Sequence, residues 1–113
     1  MIEQQDDLFR VSGKVAVITG GGGVLCGTIA RGLAERGVRT AVLDIREEAA
    51  KEVADAVNSS GGKALAVKVD VLDKRDLLAA REAVMDRFGR VDFLINGAGG
   101  NRAEASTSAG HDF

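Results

Sequence analysis

The sequence contains no proline, no tryptophan and no tyrosine, and it holds one cysteine and one histidine. A single cysteine, Cys26, excludes an intrachain disulfide and suits a reducing compartment. No apolar run approaches the ~20 residues that a membrane-spanning helix requires. The opening Met1-Ile2-Glu3-Gln4-Gln5-Asp6-Asp7 has neither the basic stretch nor the apolar core of a secretory signal, so the expected location is the cytoplasm. Charges nearly balance, with 15 Lys+Arg against 17 Asp+Glu and a net charge of −2, which leaves no basic footprint for nucleic acid or an anionic membrane. His111 has no cysteine or carboxylate at ligand spacing, so neither a metal site nor a catalytic dyad is expected there.

What is present is a soluble, globular composition: 113 residues, 45% hydrophobic and 28% charged, enough for one ordinary domain. Its 15 glycines fall largely where apolar segments end. Val15-Ala16-Val17-Ile18-Thr19 is a continuous apolar run stopped by Gly20-Gly21-Gly22-Gly23, the pattern of a strand buried on both faces. Leu25, Ile29 and Leu33 then recur at helical spacing, predicting a helix over Leu25–Arg36 with Gly37 just past its end. Arg39 to Leu43 reads as a second strand closed by Asp44, and residues 46–60 as a helix with Ala50, Val53 and Val57 inward. Lys63 to Val69 reads as a third strand ending at Asp70. Asp73 then opens a helix whose stripe is Leu77, Ala80, Val84 and Phe88. Val91 to Ile95 reads as a fourth strand, stopped by Asn96-Gly97-Ala98-Gly99-Gly100. Strands alternating with helices imply βαβ units, hence an α/β structure with a parallel sheet and right-handed crossovers.

Glycines that leave a first strand and open a helix let the backbone approach a pyrophosphate, and the helix end offers free N–H groups and a partial positive charge. The segment here is Thr19-Gly20-Gly21-Gly22-Gly23-Val24-Leu25-Cys26-Gly27. Asp44 closes the second strand 24 residues beyond Gly20, near the offset of an acid that holds an adenosine ribose. Asp44 also suits a cap for the next helix; with the glycine segment, the ribose role is preferred. Asp70 suits an adenine amino group, although a lone aspartate there is more often a turn or cap residue. Cys26 reads either as a small buried hydrophobe, the preferred reading, or as a thiol activated at a helix N-terminus. If the strand order is 3-2-1-4, the loops after strands one and four wall one crevice at the topological switch point.

Thr19-Gly20 with its glycine loop, Asp44, Asp70-Val71 and Asn96-Gly97-Ala98-Gly99 together resemble the N-terminal half of the short-chain dehydrogenase/reductase family. Gly13 to Ile18 is similar to that family's first strand, and the runs Thr19–Gly27 and Asn96–Asn101 look most like its D-mannonate (fructuronate) oxidoreductase branch. The resemblance implies a Rossmann-like, doubly wound sheet of four strands and three helices, an incomplete N-terminal half. Its divisions are an extension over 1–12, a dinucleotide-binding half-domain over 13–100 and a loop or tail over 101–113. It implies NAD as cofactor, with NADP less favoured because Asp44 faces a 2′-phosphate, a penalty that Arg46 softens. By resemblance the cofactor-binding residues are Thr19, Gly20, Gly22, Gly23, Val24, Leu25, Asp44, Ile45, Asp70, Val71, Asn96, Gly97, Ala98 and Gly99. Gly20 takes the tight turn, Asp44 the ribose hydroxyls, Asp70 the adenine, and Asn96 supports strand four. The family pattern TGxxxGxG places Val24 and Cys26 where its second and third glycines stand, which leaves open which amides meet the pyrophosphate.

The resemblance also implies hydride transfer between a nicotinamide and a hydroxyl or carbonyl carbon, with a tyrosine of a YxxxK pattern as general acid/base. No tyrosine is present, and Ser106 and Ser108 follow strand four too closely to be the family's substrate-orienting serine. The expectation is therefore the cofactor half of an oxidoreductase, inactive as 113 residues and without a catalytic residue in the chain. Its expected partners are a dinucleotide, a small hydroxyl or carbonyl substrate for a complete enzyme, and a second copy or the missing half across an open sheet edge. The alternatives are a non-catalytic nucleotide-binding or interaction module and, less favoured, a methyltransferase-type domain.

Overall fold

The computed structural model describes residues 10–97; residues 1–9 and 98–113 lie outside the described residues. Ala98, Gly99 and His111 are therefore among the sequence-predicted positions on which the structure bears no weight. Seven elements alternate along the chain: β1 (Val15–Thr19), α1 (Val24–Glu35), β2 (Arg39–Asp44), α2 (Glu47–Ser59), β3 (Ala64–Lys68), α3 (Lys74–Phe88) and β4 (Phe93–Asn96). The four strands form one parallel sheet in the order β3-β2-β1-β4, with Val17 paired to Ala41 on one side and to Leu94 on the other. This is the expected Rossmann-like arrangement. All five residues of β1 are buried, as a continuous apolar run in a central parallel strand requires.

The sheet separates two cores. On one face Val15, Val17, Ala41, Leu43 and Val69 pack with Ala80, Val84 and Phe88 of α3. On the other, Ala16, Ile18, Val38 and Val42 pack with Cys26 and Ala30 of α1 and Ala50 and Val53 of α2. The face of α1 differs from the expected stripe. Leu25 is 72% exposed, and the buried residues are Cys26, Gly27 and Ala30. Small side chains let this helix lie close against the sheet and against α2, where a Cβ on Gly27 would stand 3.1 Å from Val53. In α3 the expected Leu77 is likewise half-exposed, whereas Ala80, Val84 and Phe88 are buried.

The ends of the elements shift by a residue or two for identifiable reasons. Asp44 is the last residue of β2, and Arg46, not Asp44, is the N-cap of α2. Asp73 caps α3 as expected, its carboxylate accepting the Arg75 N–H at 2.9 Å. Strand β4 begins at Phe93, two residues later than Val91, because Asp92 is used as a latch. Its backbone N–H donates to the Val15 carbonyl at 2.8 Å, while its carboxylate Oδ2 accepts the Val15 N–H at 2.9 Å and Oδ1 the Arg90 guanidinium at 2.7 Å.

That latch has a pH signature. The hydrogen bond from Arg90, then that from Val15, hold the Asp92 carboxyl below its ordinary value. A depressed folded value means that the contribution is fully present above the unfolded pKa, ~3.9, and is lost as pH falls through the folded value. Asp92→Asn should therefore show a shallower fall of melting temperature below about pH 4 than the parent. Parallel acid limbs in the two proteins would exclude the latch as the titrating group.

Candidate functional site

The chain leaves β1 toward β2 and β3 on one side and returns to β4 on the other, so the sheet order reverses between β1 and β4. In such sheets ligands bind outside the carboxyl ends of the strands at this reversal. The turn out of β1 begins at Gly20, whose φ of +65° lies in the left-handed region that glycine adopts without a Cβ penalty. The next three amides are already committed. Gly21 N–H donates to the Leu43 carbonyl at 3.0 Å, Gly22 N–H to Asp44 Oδ2 at 3.0 Å, and Gly23 N–H to the Gly20 carbonyl at 3.1 Å. The loop is thus sewn to the end of β2.

Gly23 is the N-cap of α1, and no side chain caps this helix. The backbone bond that closes its opening turn runs from Gly27 N–H to the Gly23 carbonyl at 2.8 Å. The amides of Val24, Leu25 and Cys26 come before it, at the positive end of the helix dipole. The side chains of Val24 and Leu25 are 91% and 72% exposed. Cys26 is buried, as the preferred reading expected. Its thiol occupies the space where a Cβ on Gly97 would stand, which couples the start of α1 to the end of β4.

Asp44 is 7% exposed, and both carboxylate oxygens are engaged: Oδ2 by Gly22 N–H, Oδ1 by Arg46 N–H at 2.9 Å. The Arg46 Nε lies 3.5 Å from Oδ1, with its side chain 65% exposed. Ile45, between them, is 56% exposed. Asp70 follows β3 and is a turn residue here: its Oδ1 accepts the Leu72 N–H at 3.0 Å, and its own N–H donates to Asp76 Oδ2 at 3.0 Å. Val71 is partly buried against the α3-side core. Across the crevice, the Thr19 hydroxyl donates to Asn96 Oδ1 at 2.8 Å, and Gly97 N–H donates to both the hydroxyl and the carbonyl of Thr19, at 3.2 and 3.0 Å. Thr19, Asn96 and Gly97 therefore clasp the ends of β1 and β4 together.

The structure brings Thr19, Gly20, Gly22, Gly23, Val24, Leu25, Asp44, Ile45, Asn96 and Gly97 to one end of the sheet, with Asp70 and Val71 beyond the neighbouring β3. The ties of Gly21 to Leu43 and of Cys26 to Gly97 were not visible in the sequence, since neither spacing nor residue type marks them.

A family model described as short chain dehydrogenase matches residues 14–112. The chain belongs to the short-chain dehydrogenase family. It is 48% identical over 98 residues to the uncharacterised oxidoreductase UxuB of Bacillus subtilis, a match covering 87% of this chain and 35% of that protein. It is 37% identical over 94 residues to the 7alpha-hydroxysteroid dehydrogenase of Escherichia coli, covering 83% of this chain and 37% of that one. Among solved structures, a putative D-mannonate oxidoreductase of Haemophilus influenzae with bound NAD superposes with a TM-score of 0.79 at 44% identity, over 92% of this chain and 38% of that one. The chain thus spans about a third of the length of the curated relatives it matches, 35% in the first case. These relatives carry oxidoreductase or dehydrogenase names, and the Haemophilus structure is described with bound NAD. Among the described residues, no helix is long and apolar enough to cross a membrane.

Proposed function

We propose that residues 13–100 form the dinucleotide-binding part of an oxidoreductase that moves hydride between a nicotinamide and a hydroxyl or carbonyl carbon, with NAD preferred over NADP. The observation that carries this reading is Asp44: a buried carboxylate at the end of β2, fastened to the glycine loop and beside a helix that no side chain caps. An adenosine ribose suits its remaining acceptor capacity. With Gly21, Gly22 and Gly23 committed to other partners, the pyrophosphate falls to the first-turn amides of α1, chiefly Val24 and Leu25. This assigns the contact that the TGxxxGxG pattern leaves open, and makes a glycine at position 24 unnecessary. Exposed Val24, Leu25 and Ile45 are then apolar surface for the bound nucleotide to cover, with Asp70 and Val71 at the adenine. Thr19, Asn96 and Gly97 form the opposite wall.

The nicotinamide, when bound, supplies or accepts the hydride; the residues named here bind and orient it. Proton transfer at the carbonyl oxygen is outside their chemistry, since the family's tyrosine has no counterpart among the 113 residues. A sugar acid is the proposed substrate class for the complete enzyme, on the likeness to the D-mannonate branch. The exposed Leu94 (64%) shares the α3 face of the sheet through its pairing with Val17, and supports association with a second copy or with further polypeptide. The one cysteine suits the cytoplasm.

Calorimetric titration of the 113-residue polypeptide with NAD, AMP and S-adenosylmethionine tests the proposal. NAD and AMP should bind, and the same preparation should show no sustained turnover approaching ~1 per second with D-mannonate, fructuronate or secondary alcohols. Tighter binding of S-adenosylmethionine would overturn the class of nucleotide, and sustained turnover would overturn the account of the missing acid.

A further inference from the structure

We infer that Cys26 is a positioning residue: the bulk of its side chain sets the gap between the two walls of the crevice, and so the hold on the part of a dinucleotide beyond the pyrophosphate. The inference rests on the dinucleotide reading above. In glycine-rich dinucleotide turns the third glycine serves close packing of helix on strand. Here Cys26 stands at that position, and the glycine is found on the other side of the contact, at Gly97. Gly97 is not among the residues with positive φ, so its backbone conformation would accept a side chain. Space alone forbids one. A Cβ there would overlap Cys26 Sγ and stand 2.9 Å from the Thr19 carbonyl oxygen. Side-chain bulk at 26 and at 97 is therefore mutually exclusive, and this chain places it on the helix.

Gly97 is also fixed from β1. Its N–H donates to the Thr19 carbonyl at 3.0 Å and to the Thr19 hydroxyl at 3.2 Å, and that hydroxyl donates to Asn96 Oδ1 at 2.8 Å. The end of β4 is thus held between these bonds and the thiol, which fills its space as a small hydrophobe without demanding a hydrogen-bond partner. Interiors are packed closely enough that a change of one or two heavy atoms is felt. A larger residue at 26 lifts Gly97 off Thr19 and widens the crevice. A smaller one removes the stop against which the end of β4 rests. The β2 wall is tied separately, through Gly21 to Leu43 and through Asp44 to Gly22 and Arg46. AMP, which needs only that wall and the first turn of α1, and NAD, which spans both walls, therefore respond differently to residue 26.

The test is calorimetric titration of NAD and AMP into the parent chain, Cys26→Ala, Cys26→Leu, Gly97→Ala and the double variant Cys26→Gly/Gly97→Ala. The parent should bind NAD at least about tenfold more tightly than AMP. Cys26→Ala should weaken NAD by about three- to tenfold and leave AMP within about twofold of the parent. Cys26→Leu should weaken NAD by about ten- to a hundredfold. Gly97→Ala should weaken NAD by more than about tenfold, and adding Cys26→Gly should return at least about fivefold of that loss. The Thr19 contact is common to the single and the double variant, so the recovery reads the side chain at 26 alone. A merely structural role would lower NAD and AMP by one factor. That result, additive losses in the double variant, or a parent that binds NAD no more tightly than AMP overturns the inference and leaves the nucleotide reading intact. If Gly97→Ala fails to fold, the NAD-to-AMP ratio of the two Cys26 variants decides. No binding of AMP to the parent would overturn both.

Discussion

Asp44→Ala is expected to abolish measurable dinucleotide binding at millimolar ligand and to lower the stability of the fold by about 2–4 kcal/mol. The two effects share one cause. The carboxylate is 7% exposed and accepts the N–H groups of Gly22 and Arg46, and its removal leaves those donors without a partner. A buried donor left unsatisfied costs about 1–3 kcal/mol, a large share of the ~5–15 kcal/mol that holds a small domain together. Any residual binding should show a smaller preference for NAD over NADP. Like charges ~4 Å apart repel by about 1 kcal/mol in water and ~4 at an effective dielectric of 20, roughly fivefold to a thousandfold in affinity. Thermal melts and AMP titration check the pair of effects. An unchanged melting temperature together with an unchanged AMP affinity would remove Asp44 from both roles.

The second large effect is expected at Gly22. A Cβ there would stand 2.7 Å from the Ala49 Cβ, 2.8 Å from the Ala49 carbonyl carbon and 2.9 Å from Asp44 Oδ2. Two of those neighbours belong to α2 itself and cannot swing away as a side-chain tip does. Gly22→Ala must push α2 or the loop outward, at a cost of about 1–3 kcal/mol by overpacking. The shift also lengthens the 3.0 Å bond to Asp44, so AMP binding should fall by more than tenfold, roughly the loss of one charge-assisted bond. Gly32 supplies a control of opposite sign. It lies within α1 with open space where its Cβ would go, and Gly32→Ala should raise stability by about 0.4–1 kcal/mol with binding unaltered. Equal melting temperatures for Gly22→Ala and the parent would show that the loop has slack that this close packing denies.

Much of the fold was legible because its strands are central and parallel. Such strands are apolar along their whole length, so Val15 to Thr19 announces itself without any alternation, and the glycine that stops it marks the turn. The face of α1 was not legible. Periodicity favours large residues, and Leu25, Ile29 and Leu33 outweigh Cys26, Gly27 and Ala30 in any count of hydrophobicity, yet close packing on the sheet selects the small ones. The start of β4 was misplaced for a related reason. Val91 fits a strand by composition, but Asp92 spends its carboxylate on Val15 and pairing begins only at Phe93. In the site, residue types pointed to Thr19, the glycines and Asp44. The division of labour among the loop amides depends on bonds to Leu43 and Asp44, which are distant in sequence and carry no local mark.

The stitching of the glycine loop to β2 also divides the molecule in time. Gly22 and Asp44 are separated by 22 positions, whereas the Thr19–Asn96 clasp joins residues 77 apart. Short loops close at lower entropic cost than long ones, so the β1-α1-β2 unit is expected to form its glycine turn before β4 pairs with β1. Amide exchange is then expected to show two tiers, with the loop amides of Gly21 and Gly22 protected together with the central strands and that of Gly97 exchanging faster. The wall built by β1 and β2 is the persistent half of the crevice, and the wall built by β4 is the half that a bound nucleotide, bridging the two, would hold shut.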